Sequence, residues 1–268
     1  MRSLSLNLFA CAMLVAAPAV AKAPVRHAHH AHHVATRAVP ADVAAAIAAK
    51  DRPADAVKLD ESRKPVQVLG FLGLHRGDRA LDLFTGSGYY AEVMARAVGP
   101  KGSVIAWEPT GFWSDDTAKG WGELHGRAPN ASVMVSQAAD LALAPNSFDF
   151  VMIHLNYHDT YWESTKYAFP RMDPAAFLAK VYAALKPGGI MGVVDHVANA
   201  GGDPRAVTEA LHRIDPARIR ADFQAAGFVF DGESNVLRNP DDDHSKLVFD
   251  PSIRGKTDRV VYRFRKPA

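Results

Sequence analysis

Asp82 ends an apolar run and is followed by Leu83-Phe84-Thr85-Gly86-Ser87-Gly88, a turn built on glycine. Glycines at such a turn let backbone N–H groups approach a ligand closely, and a carboxylate beside them attracts positive charge. Glu108 follows twenty residues past Gly88, where a carboxylate can accept hydrogen bonds from both hydroxyls of a ribose. The plainer alternative for either acid is a helix cap or a surface ion pair, though Asp82, between Leu81 and Leu83, suits neither. A second group lies further along: Asn156, His158 and Asp159, then Asp195 and His196. His158 and His196 are the two candidate bases because imidazole titrates near neutral pH. Asp159 or Asp195 would orient either ring. The competing reading makes His158 a cap and His196 a hydrogen-bonded histidine at a strand end; His154, within an apolar run, reads as structural.

The elements that must place these residues alternate along the chain. Helical spacing covers Ala41 to Lys50 and Asp60 to Leu72, with Pro65 interrupting the second and Gly73 stopping it. Strands are expected at 79–84, 103–107, 132–136, 148–155 and 190–194, with helices at 89–98 and 115–125, the latter weakened by Gly120 and Gly122. Asp173-Pro174 and Asp215-Pro216 each place a capping carboxylate before a proline, so each opens a helix. Two late strands, from Phe228 and over Arg259 to Phe264, complete seven. The expected fold is α/β: one domain over residues 41–268, a Rossmann-like, seven-stranded, mostly parallel sheet with helices on both faces. In such sheets ligands sit beyond the carboxyl ends of the strands, where the glycine turn, Asn156 to Asp159 and Asp195-His196 all fall.

Gly86-Ser87-Gly88-Tyr89-Tyr90-Ala91 also fits the dinucleotide pattern G-x-G-x-x-A. A dinucleotide would set its pyrophosphate against the helix start, where Asp82 repels it. S-adenosylmethionine presents a cationic amino group and a sulfonium instead, so charge favours the methyl donor over NAD. At these residues the chain resembles the class I S-adenosylmethionine-dependent methyltransferases. Leu81 to Gly88 is similar to their first motif, Glu108 to their ribose-binding acid, Ser147-Phe148-Asp149-Phe150-Val151 to their fourth strand, and Leu185-Lys186-Pro187-Gly188-Gly189 to the turn before the fifth. Asn156-Tyr157-His158-Asp159, Val194-Asp195-His196, Leu211-His212-Arg213-Ile214-Asp215 and Thr257-Asp258-Arg259 resemble a bacterial group of exported methyltransferases of unassigned substrate.

The resemblance implies S-adenosyl-L-methionine as cofactor, held by Asp82, Thr85, Gly86, Ser87, Gly88, Tyr90, Glu108 and Asn156. Gln137 or Asp140 would meet the adenine, and His158, His196, Asn156 and Asp195 would serve catalysis. Asn156 also loosely resembles the polar residue that holds an amino acceptor in amino-methylating relatives. Two features depart from the family. Phe84 stands where a glycine is usual, so its ring must turn from the ligand or narrow the pocket. The third-strand acid has no clean match, since spacing points to Gln137 while the nearby acid is Asp140.

The chain has 268 residues, 48% of them apolar, which suffices for one large core. Met1-Arg2, the apolar run Leu8 to Ala17 and Pro18-Ala19-Val20-Ala21 have the pattern of a signal peptide. Residues 1–21 would then be removed, leaving no stable membrane anchor and a periplasmic protein. Cleavage would also remove Cys11, the one cysteine, and with it disulfide and thiolate chemistry. Residues 22–40 form a spacer with five histidines from His27 to His33, flexible or weakly metal-binding.

With 31 basic and 29 acidic residues there is no electrostatic case for nucleic acid. The expected activity is therefore methyl transfer to a small molecule. A non-catalytic adenosyl-ligand binder, or other chemistry on the same scaffold, is the alternative. No metal site is expected in the folded domain; Asp241-Asp242-Asp243-His244 reads as a solvated turn rather than a cation loop. His212-Arg213 could close over the pocket from a later helix, where Arg213 could bind a carboxylate or phosphate, or instead pair with Asp215.

Overall fold

Pro65 and Gly73 bracket the last of four short helices at the start of the computed structural model, which describes residues 40–268. These are α1 (Val43–Ile47), α2 (Ala54–Lys58), α3 (Asp60–Arg63) and α4 (Pro65–Leu72). Lys64, excluded from the helical region by the proline after it, takes φ 45° and separates α3 from α4. The helix foreseen over Ala41 to Lys50 is shorter, with Asp42 capping it through the Ala45 N–H. The expected leader, and the expected spacer up to residue 39, lie outside the described residues.

The remainder alternates as its sequence pattern requires: β1 (Arg79–Leu83), α5 (Tyr89–Val98), β2 (Ser103–Pro109), α6 (Asp115–Arg127), β3 (Ala131–Ser136) and β4 (Phe148–His154). A 3-10 turn, Thr110–Phe112, follows β2, and a second, His158–Tyr161, precedes α7 (Pro174–Ala184), β5 (Leu185–His196), α8 (Pro204–Leu211), α9 (Pro216–Ala225), β6 (Val229–Ser234) and β7 (Arg259–Arg265). Asp173 and Asp215 cap their helices as expected, and Asp203-Pro204 starts α8 by the same device.

The seven strands form one sheet in the order β3-β2-β1-β4-β5-β7-β6. Strands β1 to β5 are parallel, whereas β7 runs antiparallel to both β5 and β6. Each face buries its own core. Ala80, Phe150 and Met152 pack with Met94 and Leu69 on one side, while Leu81, Val151 and Ile153 pack with Leu178 and Phe223 on the other. Strand order reverses between β1 and β4, the crevice where such sheets hold ligands. No described helix is long and apolar enough to cross a membrane.

Candidate active site

Strand β1 carries Asp82 into this crevice with 2% of its surface exposed. Its Oδ2 accepts the Thr85 hydroxyl at 2.7 Å. Burial, opposed by that hydrogen bond and by the nearby Arg63 charge, raises its pKa to about 7. The chain then turns sharply: Phe84, Gly86 and Gly88 have φ 56°, 56° and 81°. A Cβ on Gly88 would lie 2.5 Å from Leu124 Cδ1, whereas one on Gly86 would meet open space. The Phe84 ring packs edge-on to Trp107 and Phe177. It thus joins the core on the other sheet face, and the backbone still adopts the left-handed geometry usual for glycine.

Glu108, near the end of β2, is 3% exposed and accepts the Gly86 N–H at 2.8 Å. Its pKa is pushed up to about 7 by burial, against the Gly86 hydrogen bond and with help from the Asp82 and Asp159 charges. Trp121 Nε1 donates to the Gly86 carbonyl at 3.1 Å, so both ends of the Gly86 residue are pinned. Asp82, Thr85, Gly86, Ser87 and Tyr90 line a cavity of about 190 Å³, together with Asn156, the Phe84 and Tyr89 positions and two residues not foreseen there, Arg63 and His154; Gly88 and Glu108, also expected there, do not line it.

His154 is buried, and its Nε2 has no hydrogen-bond partner. Burial and the Arg63 and Arg259 charges hold its pKa well below the usual imidazole range. The guanidinium of Arg63 stacks on Tyr89 at 4.4 Å and has no carboxylate partner among the described residues. Gln137 lines a separate depression with Ser164 and Phe169, and Asp140 is exposed; neither reaches the Asp82 cavity.

A larger cavity of about 550 Å³ adjoins the first, and Asn156 and Arg63 line both. It contains His158, His196, Asp159 and His212. The Asp195 carboxylate, fully buried, accepts the His158 backbone N–H at 2.8 Å and faces His158 Nδ1 at 2.7 Å. Burial opposes a charge on His158, but Asp195 and Asp159 outweigh it and lift its pKa to about 9. His196 Nδ1 stands 2.7 Å from the Thr257 hydroxyl. Burial, then the His158 and Arg259 charges, keep His196 well below the ordinary imidazole pKa. Asp159 Oδ2 accepts the Asn156 amide at 2.8 Å. The structure thus brings together Asn156, His158, Asp195 and His196, sets His212 in the wall of the same cavity as expected, and adds Arg259.

Arg213 is corrected to a structural role. It is fully buried and pairs with Asp242 through both terminal nitrogens at 2.9 and 3.0 Å, not with Asp215, which caps α9. Asp243 is tied to Ser245, and His244 Nε2 lies 3.0 Å from Asp258, so the acidic run is internally partnered.

Residues 80–189 match the methyltransferase-domain family profile. A demethylmenaquinone methyltransferase of Staphylococcus aureus (strain JH9) is 26% identical over 125 residues, covering 47% of this chain and 46% of that protein. The chain therefore spans about half the length of the curated relatives it matches. A SAM-dependent methyltransferase from Aquifex aeolicus superposes with TM-score 0.52 at 20% identity, over 79% of this chain and 99% of that one. The [4+2]-cyclase SpnF superposes with TM-score 0.52 at 18% identity, over 80% and 82% of the two chains.

The cofactor this family implies is S-adenosylmethionine, and the residues present fit it. A buried carboxylate, an unpartnered imidazole nitrogen and an open glycine face one cavity at the switch point. Residues 80–189 thus match a methyltransferase-domain profile, and they lie in the seven-stranded Rossmann-like fold that the solved methyltransferase structures share.

Proposed function

We propose that the protein transfers a methyl group from S-adenosylmethionine to a small-molecule acceptor. The observation that carries this reading is the pair of adjoining cavities with Asn156 and Arg63 in the walls of both. A two-substrate displacement needs two ligands whose reacting ends meet. When bound, S-adenosylmethionine supplies an electrophilic methyl group on a sulfonium. Asp82 receives its ammonium, Arg63 its carboxylate and Glu108 its ribose, the last by exchanging the Gly86 N–H for ribose hydroxyls.

The acceptor occupies the larger cavity, whose size is that of a small-molecule site. Phe112 and Trp162 offer it apolar walls, and Arg259 offers a cation. When His196 Nδ1 donates to Thr257, Nε2 carries the lone pair and can take the acceptor's proton. Asp195 locks His158 beside it and sets that ring's orientation.

Thermal-shift titration tests the donor half. A ligand at about 100 times its Kd adds roughly 2.7 kcal/mol, a rise on the order of 5–10 °C for a domain of this size. S-adenosylmethionine and S-adenosylhomocysteine should give that rise and NAD should not; the reverse pattern overturns the reading. Release of S-adenosylhomocysteine with an acceptor panel then tests transfer. That second step matters because the same fold serves the cyclase SpnF, so fold alone does not fix the chemistry. The apolar run Leu8 to Ala17 and the small residues up to Ala21 support export to the periplasm. Cell fractionation with N-terminal sequencing checks it, and a cytoplasmic chain still bearing Met1 refutes it.

A further inference from the structure

His158 and Asp159 sit on the 3-10 turn after β4, and His212 follows the end of α8. Asp159 Oδ1 lies 3.5 Å from His158 Nε2 and 3.5 Å from His212 Nδ1. One ligand atom from each residue falls within 4.8 Å of the other two. Separations of 3.5 Å are long for hydrogen bonds. They are close to the spacing of about 3.3 Å between two ligands that each sit about 2.0 Å from one tetrahedral ion.

The outer atoms are already engaged. His158 Nδ1 faces Asp195 Oδ1 at 2.7 Å, and Asn156 donates to Asp159 Oδ2 at 2.8 Å. Carboxylate and amide partners of this kind orient the ligands in metal sites and raise their basicity. His212 takes a left-handed backbone, φ 49°, and its ring is boxed by Trp162 and Phe249. That conformation costs of order 1–3 kcal/mol in a residue with a side chain. It turns the ring toward the 3-10 turn.

We propose that His158 Nε2, Asp159 Oδ1 and His212 Nδ1 bind a divalent transition-metal ion such as zinc, with its remaining coordination positions open to the larger cavity. Two imidazoles and one carboxylate suit zinc and its neighbours rather than magnesium or calcium, which take oxygen ligands. An open position on a metal with three protein ligands is where an acceptor oxygen or sulfur would be held. The site stands on these three residues whether or not the neighbouring cavity takes a methyl donor.

The experiment uses the full chain with His27, His29, His30, His32 and His33 replaced by serine, so that the spacer does not compete. Calorimetric titration with Zn²⁺ should give one equivalent bound and a raised melting temperature, and Mg²⁺ should give neither. His212→Asn, which keeps a residue tolerant of the left-handed backbone, and Asp159→Asn should each lose that equivalent. Asp195→Asn should weaken it by about 10- to 100-fold. The S-adenosylmethionine shift of His212→Asn, read in the same melts, reports the donor cavity separately, so failure of one site is not mistaken for failure of the other. Absence of a Zn²⁺ equivalent, or an equivalent that survives in both His212→Asn and Asp159→Asn, overturns the proposal.

Discussion

Thr85 Oγ1 donates to Asp82 Oδ2 at 2.7 Å across the turn that closes β1, so the carboxylate is oriented before any ligand arrives. The Ala91 backbone N–H also favours its charged form, and the carboxylate lines the smaller cavity. Asp82→Asn keeps the shape and removes the charge. Hydrogen bonds to charged groups contribute about 1.5–3 kcal/mol, so the Kd for S-adenosylmethionine should rise roughly 10- to 150-fold. The free variant should melt no lower than the parent, because burial disfavours the carboxylate's charge by more than Thr85 and Arg63 favour it. An unchanged Kd would remove Asp82 from the donor site.

The pH dependence follows from the same carboxylate. Burial lifts its pKa to about 7, so it is largely protonated below that pH in the free protein. An ammonium ligand favours the ionised form, and binding below pH 7 must release the proton. The Kd should therefore rise as pH falls below 7, by up to about tenfold per unit. It should flatten from pH 7 to about 8, where the ligand's own amino group begins to lose its charge. For the free protein the sign is the reverse. The folded state holds more protons than the unfolded chain between about pH 4 and 7, so this group makes stability fall as pH rises through that window. In Asp82→Asn the slope of Kd below pH 7 should lessen, leaving only the part that belongs to Glu108, whose pKa burial also lifts to about 7; an unchanged slope assigns the proton elsewhere.

Most of the scaffold was legible because its signals are local. Asp173-Pro174 and Asp215-Pro216 start α7 and α9, and Gly73 stops α4 with a left-handed backbone. Asp203-Pro204 carries the same cap-and-proline signal for α8. Strand β5 begins at Leu185 rather than Ile190 because Leu185 pairs with Phe148 of β4 across a bulge, and the antiparallel pairing with β7 runs on through Gly188 N–H to the carbonyl of Lys266, just past that strand. That antiparallel pairing is a long-range contact that no local pattern encodes.

The site divides in the same way. Asp82 and Glu108 follow from a motif and its spacing, whereas Arg63 and His154 enter by tertiary folding. His154 alternates within an apolar strand as any core histidine would, and only the fold shows its Nε2 to be unpartnered.

Two glycines of one turn should fail differently. Gly88→Ala drives a Cβ against buried Leu124 and Trp121 at φ 81°. It should cost about 1–3 kcal/mol of stability. Gly86→Ala meets open space at φ 56° and should cost about 1 kcal/mol. Its methyl group, however, enters the donor cavity, so it should impair ligand binding more than Gly88→Ala does. Melting curves with and without S-adenosylhomocysteine separate the two effects, and equal losses in both measurements would contradict the assignment.

Arg213 and Asp242 test the structural correction. Arg213→Met strands the Asp242 carboxylate in the interior, a change worth about 3–5 kcal/mol of stability. Pairing it with Asp242→Leu should recover much of that loss. If Arg213 held a ligand instead, the single variant would melt normally and bind poorly. Denaturant melts of the two variants beside the parent decide between these outcomes.

Arg63 gives the sharpest separation of binding from folding. Its guanidinium lies over Tyr89 in the walls of both cavities, and burial holds its pKa below the usual arginine value. Paired with the ligand's carboxylate, it would gain a bidentate partner that the described protein does not offer. Arg63→Gln should then raise the Kd of S-adenosylmethionine and S-adenosylhomocysteine roughly 10- to 150-fold. Binding of 5′-methylthioadenosine, which has the adenosyl part and no amino-acid end, should stay within about twofold, since it forgoes no hydrogen bond to a charged group. Arg63→Lys should restore part of the affinity, because a lysine keeps the charge but not the planar fork. Equal weakening of all three ligands would mean that Arg63 supports the turn through Tyr89 and does not read the amino-acid end.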